Sequence, residues 1–185
     1  ITVLTGLLMT ATAITSHADE IKRIALPNSN FPISLAVSVP AQTDLLFVSG
    51  LLADLHDPKA PKDSFAAYGD TATQTTSILN KLKGVLEAQG LGLGDVVQLR
   101  VFLVGDPAKG GKLDFSGLQE GYTPFFGSAA QPNKPARTAI QVVALPLPGG
   151  LVEIEAVAAE VERVVPPTPQ WLLSFFSRSR RSSAL

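Results

Sequence analysis

A chain of 185 residues, 45% hydrophobic and 17% charged, fits one globular domain with an ordinary core. Its formal net charge is −1, but 166–185 holds three of the 15 basic residues and no acid; the rest carries 12 basic residues against all 16 acidic ones, a net of −4. That argues against a nucleic-acid surface, which needs clustered positive charge. The lack of cysteine excludes a disulfide framework, a thiolate nucleophile and a cysteine-type zinc site.

Residues 1–14 are uncharged and apolar or small, and Ser16 and Ala18 precede a switch to charge at Asp19-Glu20. This is the pattern of a secretory signal cleaved after Ala18, begun without its initiator Met and basic start, so export to a periplasmic space is expected. The alternative is a buried N-terminal helix. Residues 22–26 are read as an edge strand, followed by a turn-rich break at Pro27, Asn28, Ser29, Asn30 and Pro32. A short strand over 35–39 leads to a buried one over 45–49 that closes on Gly50, where a glycine marks close approach of backbone or ligand. In the next loop, Asp54, His56 and Asp57 are too local a set to be read as a metal site; a solvated loop is expected.

Asp70 is placed to cap a long helix whose apolar face is Thr75, Ile78, Leu79, Leu82, Val85 and Leu86, ended by Gly90. A strand over 96–104 is apolar on both faces except for Gln98 and Arg100, and Arg100 is assigned a structural or interface role. The run GDPAKGGK at 105–112 lacks the spacing of a phosphate loop, and Leu113 stands where Ser or Thr would follow; a mobile loop is the better account. Asp114 caps a second helix with Phe115, Leu118, Tyr122, Phe125 and Phe126 at core spacing, kept short or kinked by Pro124.

Over 131–160 the period gives two strands about a Pro-Leu-Pro-Gly-Gly turn at 146–150. Thr138, Ile140 and Val142 alternate with Ala139, Gln141 and Val143; Val152, Ile154 and Ala156 alternate with Glu153, Glu155 and Val157. Pro132 and Pro135 hold the approach to Arg137 extended, so its guanidinium is presented from a defined point, suited to clamping a carboxylate. The alternative for Arg137 is a structural salt bridge to Glu155 or Glu160, and for Glu153 an exposed carboxylate paired with a surface cation. If the two strands form a hairpin, Arg137 faces 157–159 and Glu153 stands roughly 13 Å further along.

Two helices and about six strands indicate an α+β fold, both helices packed on one face of a mixed sheet. Gln141, Val143, Val157 and Ala159 then leave the second face wanting cover, so association is implied.

The stretch PARTAIQVVALPLPGGLVEIEAVA at 135–158 resembles the signature of the Rid (YjgF) family of reactive-intermediate deaminases. Upstream, in order, stand further matches: LLFVSG at 45–50, TQTTSILNKLKGVLEAQGLGLGDVVQLRVFLV at 73–104 and GYTPFFG at 121–127. The resemblance covers 30–162 and implies a chorismate-mutase-like protomer within a domain at 19–165, assembled as a homotrimer with clefts between subunits. It further implies hydrolysis of enamines and imines of 2-keto acids, such as 2-aminoacrylate and 2-iminopropionate, to the keto acid and ammonia without metal or organic cofactor. Arg137 matches the carboxylate-binding arginine and Glu153 the residue that positions the attacking water as general base. Gly50 and Ala139 match positions offering backbone amides to the bound acid.

The match departs from the family pattern at several positions. The cleft tyrosine of the first strand pair is replaced by Leu35 or Ala36, an expected asparagine appears as Gln119 (taken as substrate-binding), and a cysteine as Ala139. The loop at 107–114 is longer than the family form. The competing expectation is a non-catalytic, trimeric module that binds carboxylate metabolites or acts like a chaperone; the acidic core disfavours a ribonuclease. The aromatic, basic tail at 166–185 is expected to be a disordered appendage, contact with an anionic membrane being its alternative.

Overall fold

The computed structural model describes residues 20–160. The signal expected over 1–18 and the tail expected over 166–185 lie outside the described residues. One mixed sheet runs in the order β1-β2-β5-β4-β6-β3. Its strands are β1 (Lys22–Ala25), β2 (Ser34–Ser38), β3 (Asp44–Leu52), β4 (Val96–Val104), β5 (Ala136–Val142) and β6 (Val152–Glu160). The helices are the single turn α1 (Phe65–Tyr68), then α2 (Thr71–Glu87) and α3 (Phe115–Tyr122). The α+β class expected from the sequence holds, with the helices on one face of the sheet.

Helix α2 starts where Asp70 accepts a hydrogen bond from the Thr73 N–H at 2.8 Å, meeting a donor the first turn cannot satisfy internally. Ile78, Leu79, Leu82 and Leu86 are fully buried against the sheet, each stabilising the fold by about 1.5–3 kcal/mol. Gln74 interrupts that apolar face without penalty. Its amide donates to the Gly69 and Gly149 carbonyls, and its carbonyl accepts from the Leu151 N–H at 2.8 Å, which ties α2 to the chain entering β6. Asp114 caps α3 through the Gly117 N–H, and the helix stops at Tyr122, short as Pro124 requires.

Strand β4 sits in the middle. It pairs parallel with β5 (Leu99 opposite Arg137) and antiparallel with β6 (Val101 opposite Ile154). The last two strands are therefore not a hairpin: β4 lies between them, and the 143–151 segment is a crossing, with the Leu151 carbonyl accepting from the Val104 N–H at 2.9 Å. Side-chain alternation then sorts the two faces. Leu99, Val101 and Leu103 pack under the helices with Val152, Ile154 and Ala156, whereas Gln98, Arg100 and Phe102 face the other way with Glu153, Glu155 and Val157.

That second face is mixed, with an exposed apolar patch whose members differ from those expected. Gln141 belongs to the helix side, where it accepts from the Leu113 N–H and donates to the Gly111 carbonyl. Val143 lies beyond the end of β5, 99% exposed, and Ala159 is buried. Phe47 (71% exposed), Leu45 and Ile140 supply the exposed apolar area, next to half-buried Val157. Arg100 pairs with Glu155 at 2.7 Å on this face, the structural role expected of it. The 105–112 loop is closed rather than loose: Asp106 bridges to Lys112 and accepts from the Ala108 N–H.

Candidate active site

Arg137 is held by its approach. Arg23 donates to the carbonyls of Lys134 (2.9 Å), Val96 (3.0 Å) and Gly94 (2.7 Å). The Ser34 hydroxyl donates to the same Lys134 carbonyl, and the Ser34 N–H donates to Pro135 O. With Pro132 and Pro135 limiting the backbone, the residue before β5 has little freedom left. β2 meets β5 only at Ser34 and Ala136, so beyond that bridge the outer edge of β5 has no strand neighbour among the described residues.

The guanidinium lies against an aromatic surface. Its central carbon is 4.3 Å from the Tyr122 ring centre, 5.5 Å from Phe31 and 5.8 Å from Phe115. Nη2 donates to Gln119 Oε1 at 2.6 Å, while Nη1 is buried and has no hydrogen-bond partner among the described residues. The Tyr122 hydroxyl is likewise buried without a partner. Burial pulls the Arg137 pKa down from its usual value and raises that of Tyr122 well above the phenol range, although the neighbouring arginine acts the other way on the tyrosine. Arginine stays charged and tyrosine stays a neutral hydroxyl. An unmet buried donor costs roughly 1–3 kcal/mol, which an incoming carboxylate would recover. Half of the Arg137 fork is thus committed to Gln119, and half is free for an anion.

Gly50 and Glu153 form a second cluster. The β3–β6 register slips by one residue between Val48 and Leu51, a bulge that contains Gly50. The Glu153 side chain lies over the Gly50 Cα, and a Cβ at position 50 would overlap its carboxylate. A side chain at position 50 would therefore have to displace the Glu153 carboxylate. Among the described residues Glu153 is in no ion pair, and Arg137 has no salt bridge to Glu155, whose partner is Arg100.

One protomer does not bring the two clusters together. Arg137, Ala139 and Gln119 lie on the helix side at β5 and α3; Glu153 lies on the open face of β6 beside β3. Through β4, Glu153 is level with Phe102 and hence with Ile140, three residues past Arg137. Two strand spacings and three residues of rise put the Cα atoms on the order of 14 Å apart, with side chains on opposite faces. Ala139 packs partly against the core. Leu35 and Ala36, at the position of the expected cleft tyrosine, are exposed on β2, and the aromatic ring beside Arg137 comes instead from Phe31.

Two aromatic neighbours are not among the site residues expected from the sequence: Phe115, whose spacing puts it on the core side of α3, is 42% exposed, and Phe31 lies in the loop between β1 and β2. A bulky aromatic amid Pro, Asn and Ser was the available signal. Asp54 pairs with Lys81 at 2.7 Å and Asp57 accepts from the Lys59 N–H, so both carboxylates beside His56 are engaged in the loop. A groove of about 540 Å³ lined by His56, Thr73, Ser77 and Glu120 touches neither cluster.

Residues 23–160 match the family model described as Endoribonuclease L-PSP. The chain is similar to a RutC family protein of Pyrococcus horikoshii, 36% identical over 115 residues that cover 62% of this chain and 79% of that protein. It is 33% identical over 139 residues to the 3-aminoacrylate deaminase RutC of Acinetobacter baylyi, covering 74% of this chain and 97% of the relative. Among solved structures, the Rid family protein YyfB of Yersinia pestis superposes with a TM-score of 0.56 at 25% identity, over 76% of this chain and 98% of that one.

Proposed function

We propose, for a chain that belongs to the Rid (YjgF/RutC) family, that it hydrolyses imines and enamines of 2-keto acids to the keto acid and ammonia. The observation that carries this reading is the divided fork of Arg137, one nitrogen on Gln119 and the other buried without an acceptor. A substrate carboxylate would take the free nitrogen, with the charge-assisted, directional bonds an arginine offers. An enamine is first protonated at carbon to become the imine. Water then adds to the C=N carbon, giving one proton to the Glu153 carboxylate, which passes it to nitrogen; the C–N bond breaks and ammonia leaves as the remaining hydroxyl becomes the keto C=O and gives its proton to the regenerated carboxylate. The imine is already electrophilic, so positioning supplies most of what is needed.

Arg137 and Glu153 stand too far apart in one protomer to share a small acid, so Glu153 is assigned to the site of a neighbouring copy. Trimerisation through the apolar second face is part of the same proposal. The 3-aminoacrylate deaminase named among the relatives supports the reaction class. The same separation favours a second reading, a module that binds carboxylate metabolites through Arg137 without turnover. Generating 2-aminoacrylate in situ and following keto-acid release with and without the protein decides between them. Acceleration is expected; unchanged release alongside measurable keto-acid binding selects the binding module.

A further inference from the structure

The free nitrogen of Arg137 is buried, and three aromatic rings lie against its guanidinium. Tyr122 is fully buried and forms the floor beneath the guanidinium. Phe31 and Phe115 flank it from outside and stack on each other, ring centres 6.1 Å apart and planes 10° from parallel. Phe31 lies between β1 and β2 in a segment where Asn28 has φ of 53°, outside any strand ladder. Its N–H donates to Ser29 Oγ and its carbonyl accepts from Lys134 Nζ, both at 3.1 Å, and from the Ile33 N–H at 2.9 Å; these bonds fix the backbone and leave the ring itself without a polar tether. Phe115 is the first residue of α3, one past the Asp114 cap, so its side chain can turn without breaking a helical hydrogen bond.

We propose that Phe31 and Phe115 form a two-ring gate over the free nitrogen of Arg137, and that the parted rings select 2-imino and 2-oxo acids with apolar side chains. This deepens the function proposed above and rests on Arg137 as the carboxylate anchor. A carboxylate cannot reach a nitrogen with no exposed surface unless a covering ring moves. Once it is seated there, the carbons beyond C2 lie along phenyl walls. A second carboxylate on the ligand would lose its hydration against those walls with no partner in return.

The gate is testable without any assumption about turnover. Phenylglyoxal modification of Arg137, read by mass spectrometry on the folded full chain, should be slow in the wild type. It should rise roughly tenfold or more in Phe31→Ala and Phe31→Leu, while labelling of Arg100 on the other face stays unchanged as the internal control. Equal Arg137 labelling in wild type and both variants overturns the gate.

Selectivity is read by calorimetric binding of pyruvate, 4-methyl-2-oxopentanoate and 2-oxoglutarate. The branched acid should bind best and the diacid worst, the apolar extension being worth on the order of tenfold. Phe31→Leu should keep that order, since the wall remains apolar, and the Phe31→Ala, Phe115→Ala double variant should flatten it. An unchanged order in the double variant, or no binding of any of the three acids to wild type, overturns the selectivity. Binding in the expected order without imine hydrolysis defeats only the deaminase reading and leaves gate and walls standing.

Discussion

Arg137 and Glu153 point to opposite faces of one sheet, on strands β5 and β6 with β4 between them. The proposed reaction needs both residues at one small acid, and because the fold of each protomer keeps them apart, that proposal requires a second copy to supply the missing half. Mixing two impaired variants tests this directly. Arg137→Ala and Glu153→Gln, each well below wild type alone, should regain activity when unfolded and reassembled together. In a ring of copies with random exchange, about a quarter of the sites would pair an intact Arg137 with an intact Glu153 from different chains. No regained imine hydrolysis in a verified mixed assembly would refute the shared site.

The two residues should also differ in how they fail. Arg137→Ala removes a desolvated charge that would anchor the substrate, a loss of about 2–5 kcal/mol, so kcat/KM should fall roughly 30-fold to several thousand-fold. Arg137→Lys keeps the charge but loses the fork and should fall in between. Glu153→Gln should lower kcat with little change in pyruvate binding, because the base is lost and the shape over Gly50 is kept. The readouts are imine-hydrolysis kinetics and calorimetry. Wild-type keto-acid binding by Arg137→Ala would make this arginine purely structural and end both functional readings.

Assembly through the apolar second face predicts a trimer in sedimentation equilibrium. Phe47→Asp or Val157→Asp, placing charge within that face's exposed apolar patch, should shift the protein toward monomer, while Val143→Asp, beyond the strand end, should do so less. A wild-type protein that sediments as a monomer at all concentrations would refute the shared site along with the trimer.

The Asp70 cap makes a prediction in pH. Its carboxyl is held below the usual carboxylate range, chiefly by the hydrogen bond from the Thr73 backbone N–H. A depressed folded pKa means the cap contributes above the unfolded value, near 4, and fades as pH falls through the folded one. Asp70→Ala should lose about 0.5–2 kcal/mol at neutral pH, and Asp70→Asn much less. Both should show a shallower loss of urea stability than wild type between about pH 5 and pH 2. Parallel curves for all three proteins would show that the cap carries no pH-linked stability.

Periodicity found β4 residue for residue, and it found the Asp70 cap and the short α3, because each is a local matter of spacing and capping. It missed the neighbour relations. Nothing in the alternation of 136–142 and 152–160 reveals that a strand from forty residues earlier slots between them, since a strand's period is the same whichever strand it joins. The Gly50 bulge was invisible for a like reason: one extra residue in β3 changes register, not composition. Arg137, Gln119, Gly50 and Glu153 were nameable from motif resemblance. Their division into two clusters was not, and neither was the ring pair at Phe31 and Phe115, which depends on a loop folding back across a hundred residues.

Arg23 ties the arginine pocket to parts of the chain far apart in sequence. Its three carbonyl bonds reach 71, 73 and 111 residues along the chain, so the segment that aims Arg137 locks only after β1, the approach to β4 and the approach to β5 have all met. Contacts of such sequence separation close slowly. The helix layer, built from α2 and the neighbouring α3, has shorter loops to close and can be in place before them. A chain released too early, or trimmed of Lys22–Ala25, would keep its helices and lose the anion pocket first. The shape of the Arg137 pocket is in this sense a readout of long-range closure.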